Sequence, residues 1–252
     1  MDEERIRELA RDPNHICGVY NYCDRWCERY EQQSKCLVFT MEQEQKASGQ
    51  DPLESIRASL EMAQTLLKEK MEEFGLDPEA LAVEAEEEPD PFEGIRAHPL
   101  VQKAEQYASG TAAHLEPVQD ALVTAAGSFQ QKVELGITPN QGFKLEDLEQ
   151  CRDAVETILH FRFLICSKIF RALSGMAPQE DGRPDPYCAE DARLSAQVAS
   201  KGMQRSIEAW LILRNAFPGK EAGILEMLLQ LDRLRREAEI QFPGSGDPAQ
   251  EE

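Results

Sequence analysis

Cys17, Cys23, Cys27 and Cys36 fall within twenty residues of one another, in a segment that from His15 reads His-Ile-Cys-Gly-Val-Tyr-Asn-Tyr-Cys-Asp-Arg-Trp-Cys-Glu-Arg-Tyr. Thiolates are soft ligands, and such a group suits one zinc ion or one iron–sulfur cluster. On a helix, Cys23 and Cys27 would share a face with Cβ atoms about 5–6 Å apart. Two sulfurs on one tetrahedral zinc lie roughly 3.8 Å apart, given bonds of about 2.3 Å, so the pair can share a metal. Cys17 and Cys36 would fold back from the flanks, which Gly18 and the polar residues 31–35 permit. The bland alternative is four small buried side chains beside Tyr20, Tyr22 and Trp26; the clustering favours a metal. His15 is a substitute ligand or, more simply, a capping residue near a helix end. Cys151 and Cys166 fall on the apolar face of a helical pattern and read as core, and Cys188 as a packed or unpaired thiol.

Tyr30 stands where a third cysteine would complete the Cys-x-x-x-Cys-x-x-Cys spacing of radical enzymes, and its presence removes that reading. No Gly-x-Ser-x-Gly elbow and no phosphate-binding glycine loop is present. A second metal chemistry, a carboxylate-bridged di-metal site in a helical bundle, needs Glu-x-x-His motifs from two helices. The chain offers Glu156 and His160 four apart, with Glu61, Glu105, Glu208 and His98 elsewhere, but no Glu-x-x-His.

The elements that must position these residues are helical. Residues 2–11 form a short helix candidate closed by Asp12-Pro13-Asn14. Leu53, Ile56, Leu60, Ala63, Leu67 and Met71 recur at helical spacing between Asp51, an N-cap, and Gly75, a stop. Residues 95–114 and 118–135 read as two helices or one kinked at Pro117. Residues 145–174 carry the broadest apolar face and belong at the centre. Residues 189–216 and 219–241 form a closing hairpin. No alternating β pattern of useful length appears. The expected fold class is all-α: a bundle of four to six helices with an N-terminal cysteine-rich segment. The expected organisation is a cysteine-rich segment 1–45 packed on the bundle, a helix 46–75, an acidic linker 76–93, the bundle 94–242 and a disordered tail 243–252.

Charge narrows the partners. The net charge of -20 over 252 residues argues against nucleic acid, whose phosphates need a positive face. Residues 79–93 alone hold seven acids and no base, which reads as a solvated linker or a docking segment for a protein partner. The opening residues are charged from the second position and lack the apolar stretch of a secretory signal. The longest apolar run, residues 158–166, is broken by His160 and Arg162, so no membrane span is expected. The expectation is a cytoplasmic protein with reduced thiols.

The run Tyr20-Asn21-Tyr22-Cys23-Asp24-Arg25-Trp26-Cys27-Glu28-Arg29 resembles the N-terminal signature of a family of uncharacterised, helical bacterial proteins. In that family a further cysteine usually follows Arg29, where this chain has Tyr30, and another lies six residues later, where it has Cys36. Stretches around residues 153–173 and 205–210 are similar to that family's later helices. The resemblance implies a bacterial origin and a cysteine-bound metal or cluster, with Cys17 substituting for the missing ligand. The metal's expected role is structural, with a redox role for a cluster or the thiols as the alternative. The residues name neither a substrate nor a reaction.

Overall fold

Helix ends in this chain are set by short local signals. Asp51 accepts hydrogen bonds from the Leu53 and Glu54 amides at 2.8 and 3.4 Å, Pro52 opens the helix without wasting a donor, and Gly75 ends it at φ 67°. Asp185 caps its helix in the same manner, through the amides of Tyr187 and Cys188. The computed structural model describes residues 3–16, 18–29, 33–49, 51–76, 90, 92–137, 143–177 and 185–245. All regular structure among them is helical, as the apolar periodicities require. The chain divides into two compact units, Met1–Pro91 and Phe92–Glu252.

The first unit contains α1 (Glu3–Arg11), α2 (Val19–Tyr22), 3-10 turns at Cys27–Arg29 and Gln33–Lys35, α3 (Leu37–Ala47) and α4 (Pro52–Phe74). The helix expected between Asp51 and Gly75 is α4, and residues 46 and 47, grouped with it in the expected organisation, belong to α3. Gly49, at φ 66°, turns the chain between the two helices, and the expected boundary at residue 45 lies inside α3. Met62 and Leu66 of α4 face Ile6 of α1 and Val38 and Met41 of α3 across a hollow of about 300 Å³. Arg5 makes a forked pair with Glu44 at 2.6 and 3.1 Å, and Arg7 reaches Glu69 at 3.0 Å. These pairs are exposed, and exposed ion pairs add little to stability. Among the described residues of this unit only Leu9 and Asp24 are buried, so it has almost no apolar core.

The second unit opens with α5 (Glu93–Arg96) and continues as α6 (Pro99–Glu134), α7 (Leu145–Gly175), α8 (Pro186–Ala216) and α9 (Glu221–Gln241). Each of the four long helices packs on the next, and α9 closes on α6. Lys103 lies opposite Glu237 and His114 opposite Gly223, so α6 and α9 are antiparallel. Leu100, Ala104, Tyr107, Thr111, Leu115 and Val118 form the buried stripe of α6 at spacings of three and four. Pro117 sits inside this single helix, although a break there was one reading of the sequence. Proline deletes one backbone hydrogen bond, but Leu115 and Val118 beside it are buried and hold the helix on course.

α7 and α8 make the most extensive contact in the bundle. The reason is a row of small residues on α8, Ala192, Ser195, Ala196, Ala199, Gly202, Ser206 and Ala209, all buried. A Cβ added at Gly202 would sit 2.9 Å from the Phe161 ring and 3.1 Å from Ile165. A Cβ at Gly175 would sit 2.5 Å from the Cys188 carbonyl oxygen. At the core, Trp210 Nε1 donates to Tyr107 Oη at 3.3 Å, with both rings fully buried. Phe242 and Ser245 are also buried, so packing continues to residue 245, past the start of the expected tail. The acidic run 79–89 and the remainder of the tail lie outside the described residues. No helix among the described residues is long and apolar enough to cross a membrane.

Candidate metal centre

Local geometry around the cysteines differs from the helical pairing expected of Cys23 and Cys27. α2 lasts four residues and Cys23 is its C-cap, with an extended backbone at φ -86° and ψ 162°. Asp24, buried, then accepts from the Trp26 amide at 3.2 Å, the two-residue reach of an Asx turn. Arg25 takes φ 56°, the only left-handed non-glycine backbone among the described residues. A left-handed residue without a glycine costs about 1 kcal/mol or more and is tolerated where the surroundings demand it. Cys27 opens a 3-10 turn, and Cys36 is the extended N-cap of α3. The two cysteines therefore sit at opposite ends of a tight turn, because Asp24 competes for the backbone and ends the helix.

That turn brings the thiols to the walls of one cavity by another route. Cys23, Cys27 and Cys36 line a single cavity of about 430 Å³, with Ile16, Val19, Trp26, Arg25, Arg29 and Lys35. The backbone bond from the Ile16 amide to the Lys35 carbonyl, 2.9 Å, closes the segment into a loop. The Arg29 guanidinium stacks on the Trp26 ring at 3.6 Å. Among the described residues three cations and no carboxylate border the cavity, an arrangement that favours an anionic occupant. Cys17 and Tyr30 lie outside the described residues. Among the described residues, no three histidine, cysteine, aspartate or glutamate side chains converge closely enough to hold a metal ion.

No family model, curated protein or solved structure matched the chain. Function must therefore be read from the residues themselves.

His15 is not at the cavity. Its Nδ1 contacts the Leu9 carbonyl oxygen at 2.8 Å and its Nε2 the Thr40 hydroxyl at 3.2 Å. The carbonyl can only accept, so Nδ1 carries the proton, and the ring ties the end of α1 to α3. His15→Ala is expected to cost the first unit about 1 kcal/mol and to leave metal content unchanged. Thermal melts of the variant beside elemental analysis check both halves. Tyr22, one of the aromatics read beside the cysteines, is exposed, and Trp26 alone of the described aromatic side chains lines the cavity.

The carboxylates nominated for a di-metal site are not brought together. Glu105, Glu156 and Glu208 are exposed, Glu61 belongs to the other unit, and His98 caps α6 through its Nδ1, which accepts from the Leu100 amide. His160 packs edge-on against Phe161, with centroids 4.9 Å apart. Every buried polar side chain described in the second unit is a threonine, serine, lysine or tyrosine, or the indole of Trp210, and none is a carboxylate. A hollow of about 440 Å³ in the bundle has, among the described residues, one carboxylate, Asp147, and one thiol, Cys151, on its walls. Asp147 already accepts from the Lys144 amide at 2.9 Å.

Burial pushes the Cys151 and Cys166 thiols above their ordinary value of 9.0, with Asp147 and Glu105 adding to the respective shifts, and burial pushes Tyr107 above 10.0. These groups stay neutral when folded and lose protons more readily when unfolded. Their contribution is therefore complete below about pH 9 and is lost as the pH rises beyond it. The urea midpoint of the bundle is expected to fall between pH 8.5 and 10.5 and to fall less steeply in Cys151→Ala. A midpoint constant over that range contradicts the assignment.

Proposed function

We propose that the first unit is a soft-metal module in which Cys17, Cys23, Cys27 and Cys36 bind one zinc ion or one iron–sulfur cluster, and that the metal's main role is structural. The observation that carries this reading is the shared cavity: three of the four cysteines border one space, together with three cations and an aromatic face. Four thiolates on one zinc leave two net negative charges, and Arg25, Arg29 and Lys35 offset such a charge. Each of these three cysteines also stands at the end of an element, Cys23 closing α2, Cys27 opening a turn and Cys36 opening α3. A metal there joins three chain segments at once. The first unit, Met1–Pro91, needs such a joint, since Leu9 is the one buried apolar side chain among its described residues. The kinship suggested by residues 20–29 enters this proposal on those residues alone. Reduced thiols fit work in the cytoplasm, as does the lack, among the described residues, of a helix long and apolar enough to cross a membrane.

Elemental analysis and a visible spectrum of anaerobically purified protein test the reading together. One zinc per chain and no colour supports a structural site. Iron with inorganic sulfide and a visible band that bleaches on reduction moves the site to redox chemistry, the second reading, in which Trp26 screens the cluster from solvent. Absence of any stoichiometric metal sinks both.

A further inference from the structure

α4 carries two apolar faces, and only one of them is used within its unit. Met62 and Leu66 turn towards α1 and α3, and Glu69 is held there by Arg7. About 130° around the helix, by its 3.6-residue turn, runs a second row. Leu53, Leu60, Leu67 and Phe74 recur at intervals of seven, with Ile56 and Ala63 three residues after the first two. Leu53, Ile56, Leu60, Leu67 and Phe74 are 76, 58, 61, 61 and 72% exposed. Ala63, exposed as well, borders both faces.

We propose that this row is a homodimer seam, on which the α4 helix of a second copy of the chain packs. The spacing itself argues for a helix as the occupant. A helix that lies on a globular core shows a broad stripe that follows the 3.6-residue period, whereas a narrow row of first and fourth heptad positions follows a partner that supercoils with it. The 23 residues of α4 supply three heptads of this pattern. The five exposed side chains present on the order of 500 Å² per copy, so a pair buries on the order of 1,000 Å², the lower edge of a specific interface. The expected dimer is accordingly of micromolar strength. Lys70 occupies the fourth position of the last heptad and is the single charged interruption of the seam. Both copies carry -20, so added salt tightens the pair by screening their repulsion.

Sedimentation equilibrium of the full chain from about 1 to about 100 µM is the test. A monomer–dimer equilibrium that strengthens with salt is expected. Leu60→Glu with Leu67→Glu, both exposed in the single chain, weakens it at least tenfold at unchanged helix content by circular dichroism. Lys70→Leu, which completes the seam, tightens it about tenfold. One monomeric species across the whole range overturns the proposal, as does a dimer indifferent to the double glutamate variant. If that variant loses helix content, Lys70→Leu decides alone, and an unchanged dissociation constant overturns the seam.

Discussion

On the proposed four-cysteine site, Cys27→Ser is expected to strip the metal from the protein and unfold the first unit while the helical bundle remains intact. The expectation follows from where the stability of each unit resides. The second unit buries more than two dozen apolar side chains, among them Trp210, Tyr107, Phe161 and Ile165 with no exposed surface. Among its described residues the first buries one apolar side chain, Leu9, and adds half-buried contacts of Met62 and Leu66 and exposed ion pairs such as Arg5–Glu44. Structural zinc contributes an apparent ~10–16 kcal/mol to the folding of small sites, far more than those pairs. A hydroxyl binds zinc poorly beside thiolates, and removing one of four ligands leaves an open, hydrated position. The parent should therefore melt in two transitions, the lower of them tied to the metal. Cys23→Ser and Cys27→Ser should abolish the lower transition and the bound metal together, as a chelator should in the parent. Cys151→Ser, whose parent thiol is buried in the bundle, should leave metal content unchanged. Equal metal content in the parent and in either N-terminal variant ends the assignment.

The second large effect concerns glycine, and the same substitution is expected to act with opposite signs at three positions. Gly127→Ala should stabilise the bundle by up to about 1 kcal/mol, since the position is an exposed helix interior with nothing within 4 Å of a new Cβ. Gly175→Ala meets the Cys188 carbonyl oxygen at 2.5 Å and the Ala192 Cβ at 3.0 Å. A backbone atom cannot step aside as a flexible side chain can, so α7 and α8 must separate at that end. The expected cost is about 2–3 kcal/mol net of the gain in helix propensity. Gly202→Ala presses on the edge of Phe161 at 2.9 Å, and that ring is itself fully buried, so a cost of similar order follows. Urea unfolding of the three variants measures the differences directly. A stabilised Gly175→Ala would mean that the two helices are less tightly apposed than described.

Features of the first kind, decided by neighbours in the chain, were legible without the tertiary structure. Asp51 and Gly75 bracket α4 as their types require, Asp12-Pro13 ends α1, and the apolar spacing from Leu148 to Leu173 identifies α7. The cluster of cysteines was likewise visible as a cluster. Its geometry was not. The four-residue spacing of Cys23 and Cys27 fits a helix, yet the Asp24 carboxylate captures the Trp26 amide and Arg25 turns left-handed between them. The cation set of Arg25, Arg29 and Lys35 around the cavity was equally hidden, because it forms only when residues 16 and 35 are joined.

The sequence by itself determined that the chain is helical, where most helices begin and end, and which thiols could serve a metal. These properties rest on side chains acting over four residues or fewer, through caps, periodicity and spacing. Only the tertiary structure decided which apolar face of α4 packs and which stays exposed, and it alone kept α6 unbroken across Pro117. It also left the nominated glutamates outside the bundle core. Those outcomes depend on what lies opposite each residue, and the free energy that selects among partners is shared across helices far apart in the chain.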